Sequence, residues 1–223
     1  MKKIIIPILL LGSISIYSQS DIMRILDSDP RLSATLRSNN VYDPNKNNNT
    51  ITGNPYSSTE FETGTIPNIN ANIIFKYNAY KDVIEFKDGN NIYELPKDVT
   101  YSPIKLNDNT NIVLETNNDG SSSYYTELYQ NNSSSLLKKY KVNLLDAKPT
   151  DGYREATAPK FSSLKTEYYL KTNNSIIEFP KNKKELLSKY SNNLALEQFV
   201  KKNGSYIKDE NAMKEIVKII SQK

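Results

Sequence analysis

From residue 71 the chain alternates: Ala71, Ile73, Phe75 and Tyr77 stand against Asn72, Ile74, Lys76 and Asn78. A period of two places one side of a strand in a core and the other in water, and only Ile74 breaks the pattern. A turn through 78–82 leads to a second alternating segment, 83–87. Asp88-Gly89 then supplies the positive φ of a tight hairpin, and Ile92, Tyr93, Glu94 and Leu95 return. Further strands are predicted at 111–116, 124–130 and 136–144, separated by Asn117-Asn118-Asp119-Gly120 and Asn131-Asn132-Ser133. A longer loop over 146–163 precedes a strand at 164–171. Asn173-Asn174 turns into a last strand at 176–179, which Pro180 ends.

Beyond Pro180 the period becomes helical. Residues 184–190 and 194–202 predict short helices, the second stopped by a left-handed cap at Asn203-Gly204. Met213, Ile216, Val217 and Ile220 recur at helical spacing behind Asp209, the expected N-cap. Such a stripe must bury against something, and the sheet is its nearest partner. On the N-terminal side, Ile22, Ile25 and Leu26 predict one short helix interrupted at Asp29-Pro30, and 38–58 is rich in turn formers and poor in apolar residues.

The pattern defines an α+β fold: an antiparallel, curved β-meander or partly open barrel of roughly seven to nine strands with C-terminal helices packed on it. The expected organisation is a signal peptide over 1–18, an Asn-rich, partly disordered arm over 19–60, an antiparallel β-domain over 61–180, and helices of the same domain over 181–223.

The first twenty residues carry Lys2 and Lys3, an apolar run over 4–11, and small or polar residues up to Ser20. That order is the order of a secretory signal peptide, and the run is far shorter than the ~18 residues that span a bilayer. Cleavage is expected between Ser18 and Gln19, giving an exported, periplasmic or extracellular protein. The chain has no cysteine, so a lipoprotein anchor is not expected.

Histidine, cysteine and tryptophan are all absent. The commonest general base, the thiolate nucleophile and most nitrogen and sulfur metal ligands are therefore missing, and no cofactor, metal site or catalytic residue is assigned. The formal charge of +4 is modest and argues against a nucleic-acid partner. It is uneven: residues 181–223 hold ten lysines against five acids. They suit either a solvated helical face or a docking surface for an anionic partner.

Glutamates sit near the middle of the strands: Glu85, Glu94, Glu115, Glu127, Glu167 and Glu178. A facing pair would serve as acid and nucleophile of a glycosidase. Ordinary strand alternation with pairing to Lys76, Lys87, Lys165 or Lys171 accounts for them more simply. The doublets Tyr124-Tyr125 and Tyr168-Tyr169 put one ring on each face of their strands. The core takes one ring of each, and the other is available to stack on a sugar or line an apolar cavity. These four tyrosines are the candidate ligand-binding residues.

Gly53-Asn54-Pro55-Tyr56 and the run from Tyr77-Asn78-Ala79-Tyr80-Lys81-Asp82 to Ile84-Glu85 resemble a group of uncharacterised exported proteins of Bacteroidota. In that group a G-(S/N)-P-Y segment and a Y-N-x-Y-x-D-x-I-E hairpin precede an antiparallel sheet and a lysine-rich helical end. The resemblance implies architecture and compartment and carries no catalytic residue; Asn78 and Asp82 are explained as turn formers. The expected function is a non-enzymatic envelope or secreted binding protein for an apolar or carbohydrate ligand. The alternatives are a structural or protein-interaction module of the envelope and, behind it, a carboxylate-based glycan hydrolase.

Overall fold

A computed structural model of the chain describes residues 20–28 and 51–222, except 132, 151, 154, 174 and 205–208. The expected signal peptide and the Asn-rich centre of the expected arm, 29–50, lie outside the described residues. Helix α1 (Asp21–Ser28) comes first, followed by β1 (Glu62–Ile66), β2 (Ala71–Asn78), β3 (Val83–Asp88) and β4 (Asn91–Glu94). Next are β5 (Ile104–Leu106), β6 (Asn111–Thr116), β7 (Ser122–Gln130), β8 (Ser134–Lys141), the two-residue strands β9 (Leu144–Leu145) and β10 (Lys160–Phe161), β11 (Lys165–Thr172) and β12 (Ser175–Glu178). Three helices follow: α2 (Lys183–Lys189), α3 (Leu194–Lys202) and α4 (Glu210–Ser221). The fold is α+β, built on a curved, open antiparallel sheet.

Ten strands form the sheet in the order β12-β11-β8-β7-β6-β5-β1-β2-β3-β4, while β9 and β10 pair separately. The order is two meanders set edge to edge, because β5 returns beside β1 instead of β4. Neither β1 nor β5 is legible as a period-two strand. β1 is short and holds Gly64, which in sequence reads as a turn residue. The packing requires that glycine: a Cβ there would lie 2.8 Å from Ile104 Cγ2 and 2.9 Å from the Lys105 carbonyl oxygen. The predicted hairpin is present, with Asp88 opposite Asn91 and Gly89 at φ 58°.

The sheet curls in opposite senses along its length. Tyr77 on β2 and Tyr124 on β7 meet edge to face with ring centroids 6.3 Å apart. Their strands stand four places apart, which in a flat sheet is ~19 Å. On the other face, Lys171 Nζ on β11 bonds Glu115 Oε2 on β6 at 2.6 Å, three strands away. The first roll encloses the main core, in which Phe75, Ile84, Phe86 and Ile104 are fully buried. α1 closes on this core with Ile22 and Leu26, and the Ser20 amide donates to Asp88 Oδ1 at 2.7 Å. The short helix expected at Ile22 and Leu26 is thus present and buried.

α2, α3 and α4 pack over β8 and β11 through Leu136, Leu170 and Phe179. Met213, Ile216 and Val217 are buried, and Ile220 packs beside them. Burying each such side chain contributes roughly 1.5–3 kcal/mol before the entropy of ordering it. All three N-caps are side-chain oxygens: Asn182, Asn193 and Asp209 accept from the Glu185, Leu196 and Asn211 amides. The C-terminal end of α3 corrects the expectation. Asn203 has φ −115° and is not left-handed; its side-chain amide donates to the Phe199 carbonyl at 3.0 Å, so the side chain does the capping.

Candidate ligand-binding cavity

A cavity of about 390 Å³ opens on the helix-bearing face, between the first roll and α4. Its walls bring together separate stretches of the sequence: Ser57 and Ser58 before β1, Glu62 on β1, Tyr77 on β2, Leu106 and Ile112 from β5 and β6, Tyr124 on β7, Lys138 and Tyr140 on β8, and Glu210 on α4. The volume falls in the range of small-molecule sites, which bury ligands against apolar and aromatic walls with a few polar groups.

One ion pair spans its rim. Lys138 Nζ lies 2.8 Å from Glu210 Oε1, and the Tyr168 hydroxyl donates to the same oxygen at 2.8 Å. Partial burial alone would raise the Glu210 pKa, but Lys138 and Tyr168 more than offset it and hold the carboxyl below its usual range. Burial opposes the charge on Lys138, yet its bonds to Glu210 and Tyr140 bring its pKa out higher than usual. Tyr168 is pushed up to about 12 by burial and by the Glu210 carboxylate. Lys138 also lies over the Tyr140 ring, 5.1 Å from its centroid.

Tyr124 is the deepest of the sequence-predicted residues, and its hydroxyl is buried with no hydrogen-bond partner among the described residues. Burial and the nearby Asp82 and Asp98 carboxylates push its pKa up, so it is a neutral donor. Asp82 organises the closure of the roll. Its carboxylate accepts the Tyr77 hydroxyl at 2.8 Å and the Tyr124 amide at 3.1 Å, with Lys97 and Lys139 at 3.1 and 3.6 Å. Asp82 has φ 57°, as its turn position demands. The turn explanation is therefore correct but incomplete.

The four predicted tyrosines separate by face as period two requires. Tyr124 and Tyr168 face the helices; Tyr125 and Tyr169 turn to the other side and pack on each other, centroids 5.4 Å apart. Tyr124 and Tyr125 border the cavity, and Tyr168 and Tyr169 do not. Three of the four hydroxyls are committed inside the protein: Tyr125 donates to Asn117, Tyr168 to Glu210 and Tyr169 to Glu167. Tyr77, Tyr140, Glu62, Lys138 and Glu210 are lining residues not singled out from the sequence. Tyr77 and Tyr140 lie in segments read as strands, but nothing local in the sequence brings them together.

All six central glutamates stand on the face opposite the helices. Glu85 is buried and accepts from the Tyr56 hydroxyl and Asn78 Nδ2, both at 2.8 Å. Glu94 pairs with Lys81, Glu115 with Lys171, and Glu178 with Lys181. Of the four lysines expected as partners, Lys171 alone takes one of these carboxylates in a described ion pair; Lys76 instead donates to the Thr59 carbonyl at 2.5 Å.

A larger hollow of about 530 Å³ lies near Tyr80, Lys139 and Tyr169. Four of its five charged groups satisfy one another, Asp82 with Lys139 and Lys141 with Glu167 at 3.8 Å, and Asp146 is exposed, so the smaller aromatic cavity is the better candidate. No helix among the described residues is long and apolar enough to cross a membrane. Compared with protein-family models, with curated proteins and with solved structures, the chain has no match.

Proposed function

We propose that the chain is an exported, non-enzymatic binding protein whose apolar or carbohydrate ligand sits in the cavity between the first roll and α4. The observation that carries this reading is the wall itself. Tyr77, Tyr124 and Tyr140 present aromatic surface around about 390 Å³ of open volume. A ligand that covers the rings gains apolar burial, and Ser57, Ser58 and Glu62 in the same wall offer it polar contacts. Export rests on the N-terminal residue order and on the resemblance to exported Bacteroidota proteins.

Native mass spectrometry of protein taken from its own host tests both parts. A co-purifying mass that is lost when Tyr140 is replaced by alanine supports the site, and an N-terminus at Gln19 supports export. Absence of any bound mass, together with no hit in a glycan and lipid panel, sinks the binding reading. The second reading, an interaction module of the envelope, draws on the exposed Lys183, Lys184 and Lys189 of α2 and Lys201 and Lys202 of α3. The hydrolase reading rests on Glu85 and Glu94, which stand opposite each other on β3 and β4, but Glu85 is bonded to Tyr56 and Asn78 and Glu94 to Lys81.

A further inference from the structure

Resting on the binding reading above, we propose that residues 58–61 are the lid of this cavity and that Lys76, on the opposite side of the sheet, is its latch. The pairing along β2 leaves this segment over. Tyr56 stands opposite Asn78 and Glu62 opposite Phe75, so the chain takes six steps where β2 takes three, and three residues loop out. The loop borders the cavity. Ser57, Ser58 and Glu62 line it, whereas Thr59 and Glu60 at the crest are exposed. The Ser57 amide still donates to the Tyr77 carbonyl at 3.0 Å and β1 begins at Glu62, but no described backbone–backbone bond ties 58–61 to the sheet.

Side chains do that holding instead. Lys76 Nζ donates to the Thr59 carbonyl at 2.5 Å and lies over both flanking rings, 5.3 Å from the Tyr56 centroid and 4.8 Å from that of Phe61. Lys76 also stands directly opposite Glu85 on β3, yet no described ion pair joins them; its ammonium is committed to the loop. Lys87 adds a second cation over Phe61 at 5.5 Å, and buried Glu85 accepts the Tyr56 hydroxyl. These contacts pin the two feet of the loop, while at its crest the described hold on the sheet is Lys76 alone. Period two turns Lys76 away from the face on which Tyr77 lines the cavity, so a bound ligand does not touch it. The loop is the stretch of wall with the least backbone pairing, and it is the part that gives way when a ligand enters or leaves.

The neutral apolar dye N-phenyl-1-naphthylamine, followed by fluorescence on the full chain, tests the lid. It is expected to bind the wild type and to lose binding in Tyr140→Ala. From Lys76→Met it should dissociate about tenfold faster at an unchanged melting temperature, the size of one charge-assisted bond. Lys76→Arg, which keeps a donor and a cation over the rings, should release the dye at nearly the wild-type rate. Without any variant, amide exchange at 58–61 should outpace exchange in β2 and slow when the dye is bound. Equal release from wild type and Lys76→Met, or exchange at 58–61 that ignores the dye, overturns the lid and leaves the cavity reading standing. So does faster release that comes only with a lower melting temperature and is not restored by Lys76→Arg. Where host-purified protein carries a mass but the dye does not bind, the rate at which dialysis removes that mass from each variant is the same readout. If the dye does not bind and no mass is carried, the cavity reading itself fails and the lid with it.

Discussion

Asn118 holds Ile176 by both backbone groups: its Nδ2 donates to the Ile176 carbonyl at 2.8 Å, and its Oδ1 accepts the Ile176 amide at 3.1 Å. Asn118 belongs to the turn between β6 and β7, whereas Ile176 is on the edge strand β12 at the end of the sheet. The amide side chain thus takes the place of a missing neighbouring strand at one point of that edge. It also fastens the second roll, together with Glu115 and Lys171, over Tyr125, Leu137 and Ile176. Replacing Asn118 by alanine leaves two backbone groups without these partners and should cost about 1–3 kcal/mol. Urea unfolding measures the loss, and hydrogen exchange at the Ile176 amide should accelerate more than exchange in β2. Unchanged exchange at Ile176 would show that Asn118 does not guard the edge.

The clamp of Lys138 and Tyr168 on Glu210 predicts a stability profile with two limbs. Glu210 titrates below its unfolded value, so its contribution is present above the ordinary carboxylate range of ~4.3 and is lost as pH falls through the lowered folded pKa. Lys138 and Tyr168 titrate above their unfolded values, so their contributions hold below ~10 and are lost as pH rises through the raised folded pKa of each, about 12 for Tyr168. Glu210→Gln should cost about 1 kcal/mol at pH 7, discounted for a carboxylate that is partly exposed, and should flatten the acid limb. Thermal unfolding from pH 3 to 11 on both proteins provides the comparison. A variant that keeps the full acid limb would show that other carboxylates carry it.

How much of this was legible in the sequence follows from the range of each interaction. Alternation at 71–77 and 164–171, Gly89 in its hairpin, and the stripe of Met213, Ile216 and Val217 are local patterns, and each corresponds to an observed element. β1 was hidden because Gly64 serves a neighbour from another part of the chain, Ile104 on β5, and not its own backbone. The cavity was hidden for the same reason on a larger scale. Tyr77 touches Tyr124 across four strand positions, and Glu210 reaches Lys138 from 72 residues away. The doublets predicted opposite faces correctly. They could not predict that the curl would pack Tyr125 on Tyr169 and leave Tyr124 at the cavity.

Tyr124 separates folding from binding. A buried hydroxyl without a partner costs free energy, so Tyr124→Phe should leave stability unchanged or raise it by up to about 1 kcal/mol. Because that hydroxyl is sealed from the cavity, the same change should leave ligand binding unaltered while the melting temperature holds or rises. Loss of stability in the phenylalanine variant would mean that the hydroxyl has a water partner inside the folded protein.

Removal of the residues after Pro180 should abolish cooperative folding of the sheet. Leu136, Leu170 and Phe179 are buried only because α2, α3 and α4 lie on them, and Leu186, Leu196, Val200 and Met213 supply the other side of that layer. Truncation would return Leu136, Leu170 and Phe179 to water at roughly 1.5–3 kcal/mol each, comparable with the whole net stability of a domain. It would also remove Glu210, leaving Lys138 without its carboxylate and the cavity without one wall. The truncated chain should therefore bind a hydrophobic dye and melt without a sharp transition. A sharp transition at the full-length temperature would show that the first roll and its α1 plug carry the stability alone, and that the helices serve the cavity and not the fold.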